Sequence, residues 1–108
     1  MSKIRITSVP TGEAPKHVRQ AWVGVEIPLH ANQDFRCFER GVLGGKADSA
    51  NVGGYRVSPK AAIAALTAAG KTDAAEWWRR WAQENAYLLK SMDGCLTFGK
   101  KFCELIED

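Results

Sequence analysis

The sequence predicts an α+β domain, a small curved antiparallel sheet or partial barrel with a helical hairpin inserted before the last strand or strands. Three observations carry this expectation. Apolar residues alternate near the start of the chain. Two well-punctuated helical segments follow in the second half. An apolar, aromatic segment with a glycine turn signal closes the sequence. Strands gathered at the two ends with helices between them are the order of an α+β fold.

The first element spans 3–9. Ile4 and Ile6 fall on one face and Arg5 and Thr7 on the other, the period of a half-buried strand. Pro10 and Gly12 end it, and the turn-rich stretch from Thr11 to Lys16 follows. A second strand is expected over 20–29. Ala21, Val23, Val25, Ile27 and Leu29 take the odd positions, and Trp22 is left on the opposite face. Pro28 has no amide to donate and marks a strand end or an edge. These two strands are expected to pair antiparallel.

Residues 30–53 are the least regular part. Phe35 to Phe38 and Val42-Leu43 are short strand candidates, and 44–54 reads as a loop rich in glycine, serine, asparagine and aspartate. Tyr55 and Val57 give a further short strand. Ser58 then suits a helix N-cap, Pro59 the first helical position, and Gly70 the residue just past the end. A second helix starts near Asp73, with Glu76 as a capping-box partner. Ala74, Trp77, Trp78, Trp81, Asn85 and Leu88 share one face of it, while Glu76, Arg79, Arg80, Gln83 and Glu84 form the solvated face. The corner at Gly70-Lys71 makes the pair a helical hairpin.

At the end, Leu96 to Phe98 reads as a strand. Gly99-Lys100 fits a two-residue II′ turn that returns Phe102 to Ile106 alongside, or else Gly99 is a bulge in one bent strand. The first and last strands are expected to meet in one sheet. The arrangement is analogous to small SH3-like barrels, although no family motif is present.

Composition bounds the function. The 108 residues form one expected domain, 1–108, with 45% hydrophobic and 25% charged residues. Net charge is +3, split as 7 basic and 5 acidic side chains in residues 1–54 and 8 and 7 in residues 55–108. Nucleic-acid binders concentrate their cations, and this chain spreads them. No secretory h-region or membrane-length apolar run is present. Three cysteines without an export signal fit a reducing cytoplasm. The small, economical chain is expected to be bacterial or phage-like.

The motifs for specific chemistry fail on spacing. In Gly41-Val42-Leu43-Gly44-Gly45-Lys46-Ala47, a phosphate loop ending at Lys46 needs glycine where Arg40 stands and a hydroxyl where Ala47 stands. Cys37, Cys95, Cys103 and His30 include no CxxC or HxxxH pair, so no metal and no cofactor are expected. His17 and His30 lack a recognisable nucleophile spacing; Cys37 with His30 is the nearest approach to a catalytic pair. Glu13, Glu26 and Asp34 are scattered carboxylates.

Two binding features remain. Trp77, Trp78 and Trp81 offer an aromatic platform, although their helical spacing fits a core stripe. Trp22, opposite a fully apolar strand face, is either covered by the helical hairpin or exposed as an anchor for a partner. Arg19, Arg36, Arg40, Lys46 and Arg56 define a basic rim around the irregular segment. The expected function is therefore a non-catalytic protein–protein interaction or regulatory module using Trp22 and the 30–54 loop. Nucleic-acid binding through the basic rim is the alternative, and a small Cys- or His-centred enzyme is the third. The partner is expected to be another protein, with no membrane. The edges carrying Pro28 and Lys100-Lys101 favour a monomer.

Overall fold

In a computed structural model, the described residues are 2–10, 12, 14–31, 54–87 and 96–107. They hold β1 (Lys3–Ile6), α1 (Lys16–Gln20), β2 (Glu26–Pro28), β3 (Gly54–Val57), α2 (Pro59–Ala68), α3 (Thr72–Glu84), β4 (Leu96–Gly99) and β5 (Cys103–Ile106). This is an α+β arrangement with two small antiparallel sheets. One has the order β2-β1-β5 and the other pairs β3 with β4. The two sheets do not close into a barrel among the described residues.

β1 is the centre of the larger sheet because Ile4 and Ile6, both fully buried, face the core. It pairs Ile4 with Ile27 on one side and with Leu105 on the other. The two ends of the chain therefore meet in one sheet, as the sequence predicts. β2 lies at the edge and ends on Pro28, where a missing amide donor is harmless. On the solvent face, Lys3 and Arg5 both hold Glu26, at 2.6 and 2.7 Å.

The predicted long strand over 20–29 is corrected. Residues 16–20 are helical, 21–24 turn, and only Glu26–Pro28 is strand. Pro15, extended at φ −55° and ψ 149°, sits just before α1, where its fixed φ favours helix entry. Val18 and Trp22 are then buried at a spacing of four, and Val25 and Ile27 at a spacing of two. The change of period falls at Gly24. Its φ of +88° is a conformation that glycine adopts without a Cβ penalty. The Gly24 amide donates to the Ile6 carbonyl at 2.8 Å and so starts the pairing with β1.

The helical hairpin forms as its punctuation predicts. Ser58 Oγ accepts from the Ala61 amide at 3.0 Å, and Pro59 opens α2. At the other end, Gly70 at φ +79° lets the Lys71 amide reach the Leu66 carbonyl at 2.9 Å and its own amide the Thr67 carbonyl at 3.0 Å. That pair of bonds is a Schellman close. α3 starts at Thr72 after Lys71, which makes no side-chain cap, so Asp73 lies within the first turn instead of capping it. There its charge meets the positive end of the helix dipole. Ala74, Ala75 and Trp78 are buried, while Trp77 and Trp81 are partly buried at the sides of the stripe.

The expected C-terminal hairpin is also corrected. β4 and β5 do not pair with each other: β4 pairs with β3, and β5 with β1. A II′ turn needs positive φ at Gly99, but Gly99 is extended at φ −61°. It is not at a bulge within one bent strand either. A 3-10 turn, Lys100–Phe102, carries the chain from one sheet to the other. The strand candidates at Phe35–Phe38 and Val42-Leu43 and most of the 44–54 loop lie outside the described residues.

Candidate functional site

The sequence-predicted site residues do not converge on one surface. Trp22 is fully buried. Its ring packs 5.0 Å from Phe98 and 5.8 Å from Trp78, so it has no surface to offer and is a core residue instead of an exposed anchor. The reason is the helical entry through α1, which turns Trp22 inward beneath α3. Arg19 is half-buried and spent on the backbone. Its Nε donates to the Ala14 carbonyl at 2.9 Å and its Nη1 to the Pro10 carbonyl at 3.2 Å, which clamps the connection between β1 and α1. Arg56 is 1% exposed and is corrected from rim to interior, because its strand is covered on that side. Arg36, Arg40 and Lys46, and with them Cys37 and Cys95, lie outside the described residues.

The groups considered for catalysis are similarly dispersed. Cys103 is a half-buried free thiol whose Sγ donates to the Gly99 carbonyl at 3.4 Å. Burial pushes its pKa up to about 12, so at neutral pH it is a thiol and a poor nucleophile. Among the described residues no group of three or more His, Cys, Asp or Glu is placed to hold a metal. The Glu26 carboxylate is held below its usual range first by Lys3 and then by Arg5. All three groups lie on an exposed sheet face and serve strand pairing.

An open groove does arise on the outer side of the helical hairpin. α2 turns Ala62 and Leu66 into the core, and α3 turns Ala74, Ala75 and Trp78 the same way. It lies between the helices on the far side and has a volume of about 730 Å³. Its lining is mainly apolar, from Pro59, Ile63, Ala64, Ala68 and Ala82, with Thr67, whose hydroxyl donates to the Ile63 carbonyl, and with Lys60, Arg79 and Gln83 as the polar members. Arg79 is bonded to Glu76 within its own helix. A smaller hollow of about 260 Å³ lies at the hairpin corner, where His17, Lys71 and Asp73 mix signs of charge.

The groove is not legible in the tryptophan pattern of α3, which marks only the core-facing side of the hairpin. Its signal was present in α2, PKAAIAALTA, where Lys60 is the one charged residue among ten. A surface helix normally shows a polar face; this one does not. Comparison with protein-family models, with curated proteins and with solved structures gives no match.

Proposed function

We propose that the protein is a small, non-catalytic protein–protein interaction module whose docking surface is the α2–α3 groove. The observation that supports this most is the mainly apolar lining of that groove, lying on the solvent side of a hairpin whose other side is already filled by core. A contiguous apolar depression rimmed by polar groups is the form of surface that takes an amphipathic helix. Lys60 at one end suits a ligand that ends in negative charge or in the carbonyl end of a helix.

The nucleic-acid alternative draws less support from the structure, since Arg56 is interior and Arg19 clamps a loop. The enzyme alternative has no activated nucleophile at Cys103. No helix among the described residues is long and apolar enough to cross a membrane; a reducing cytoplasm, in a bacterial or phage setting, remains part of the proposal.

The test is capture on immobilised full-length protein in three forms: wild type, Ala64→Glu in the groove, and Lys16→Glu on exposed α1 as a control. Wild type and Lys16→Glu should retain a bound protein that Ala64→Glu releases. Capture that ignores Ala64→Glu, or retention of nucleic acid that falls steeply with salt, would overturn the reading.

A further inference from the structure

We infer that the helix docking in the groove is α2 of a second copy of this chain, laid antiparallel about a two-fold axis at Ala64. The inference rests on the groove being a docking surface, and it names the occupant. Charge pattern selects the second copy. Lys60 lies in the first turn of α2, where the positive end of the helix dipole repels it. That first turn has no acidic residue, and the last turn has no basic one. Both defects are corrected by the same motion. Antiparallel pairing brings each Lys60 to the C-terminal turn of the other α2, where the dipole is negative.

The spacing agrees with the charge. Lys60 and Ala68 are equidistant in sequence from Ala64, so an axis at Ala64 sets Lys60 of one copy opposite Ala68 of the other. Ala64 and Ala68 are both exposed and lie one turn apart. Small side chains at that spacing let two helices approach at the short end of the usual ~8–10 Å separation. Such an interface is isologous, the form that two identical chains close into a dimer. The ten-residue helix is only about 15 Å long, so the contact belongs among small interfaces and the dimer should be concentration-dependent. It uses a helix face and leaves the sheet edges unpaired.

Sedimentation velocity on the full chain from micromolar to millimolar concentration tests this. The wild type should shift from monomer to dimer. Ala64→Glu should stay monomeric with an unchanged circular dichroism spectrum, because two carboxylates would meet at the axis. Lys60→Glu should weaken the dimer about tenfold. Orientation is read from cysteine pairs. In a background with Cys37, Cys95 and Cys103 replaced by alanine, so that no native thiol competes, the double variant Lys60→Cys, Ala68→Cys should form a covalent dimer on mild oxidation. Neither single variant should do so, because antiparallel copies of position 60 are offset by about 12 Å along the helix axis alone, beyond disulfide reach. Linking by Lys60→Cys alone would mean a parallel pair and overturn the proposal. A chain that stays monomeric at every concentration, and a double variant that does not link, would overturn it too. In that event, Ala64-dependent capture of a different protein would leave the docking reading standing, and loss of that capture as well would remove both.

Discussion

The indole of Trp22, on the turn after α1, lies 5.8 Å from that of Trp78 on α3, with the ring planes inclined at 53°. This contact ties the β1–α1–β2 region to the helical hairpin. Trp78 extends it to Trp77 at 4.8 Å and to Trp81 at 5.6 Å, and Trp22 extends it to Phe98 on β4 at 5.0 Å. One aromatic chain thus joins a turn, a helix and a strand of the second sheet.

Trp22→Ala should therefore be severe. Truncating a fully buried tryptophan costs about 3–5 kcal/mol, a large part of the ~5–15 kcal/mol that holds a domain together. Trp22→Phe should cost much less. It keeps a ring against Phe98 and removes a buried indole N–H that has no hydrogen-bond partner among the described residues. Chemical denaturation of the two variants checks the order. A Trp22→Ala protein as stable as wild type would contradict the packing.

The hairpin punctuation predicts two smaller, separable losses. Ser58→Ala removes the acceptor for the Ala61 amide and should cost about 1 kcal/mol. Gly70→Ala should cost about 1–2 kcal/mol. A Cβ there meets nothing within 4 Å, so the cost is the φ of +79° alone. The sites lie at opposite ends of α2, so the double variant should show additive losses in urea unfolding.

Glu26 predicts a sensitivity to acid. Its carboxyl titrates below the usual range because Lys3 and Arg5 hold the charged form. A lowered folded pKa contributes stability above the ordinary value of 4.5, and that contribution is lost as pH falls through the lowered value. Wild type should be more stable than Glu26→Gln at neutral pH, and the two should converge once the pH has fallen far enough to protonate the Glu26 carboxyl in the fold. Because the pair is exposed, added salt should shrink the neutral-pH difference. Melting temperatures across pH and salt give the readout.

Cys103 predicts a slow thiol and the opposite pH sense. Burial raises its pKa to about 12, so the neutral form is favoured in the fold. That contribution is intact below the ordinary value of 9.0 and fades as pH rises through about 12. Alkylation by iodoacetamide, followed at Cys103 by peptide mass mapping, should be slow in native protein near neutral pH and fast after unfolding. Equal rates in the two states would mean an open, unperturbed thiol.

Much of this architecture follows from local chemistry. Ser58-Pro59 and Gly70 delimit α2 because cap, first-turn and left-handed positions each favour few residue types. Ile4 and Ile6 mark β1 because alternation admits one buried face, and the spacing of Trp78 marks the core stripe of α3. Where two periods agree with the same residues, local pattern is ambiguous. Apolar residues at 21, 23, 25, 27 and 29 satisfy a strand, yet Val18 and Trp22 also satisfy one helical turn. The helix is chosen because Pro15 sets its entry and Trp22 gains the cavity between Phe98 and Trp78.

Long-range pairing decides the remainder. Leu96–Gly99 and Cys103–Ile106 are adjacent in sequence but join β3 and β1, strands far earlier in the chain. No local rule assigns them to separate sheets; competition for backbone partners and for the shared core does. The same holds for the residues expected to bind a partner. Arg19, Trp22 and Arg56 have the composition of a surface site, but folding uses them for a loop clamp and for the interior. The alanines of α2 look like ordinary helix formers until the hairpin turns Ala62 and Leu66 inward and leaves Ala64 and Ala68 outside. Burial is a property of the packed elements, so a residue type alone cannot say which apolar face will stay open to solvent.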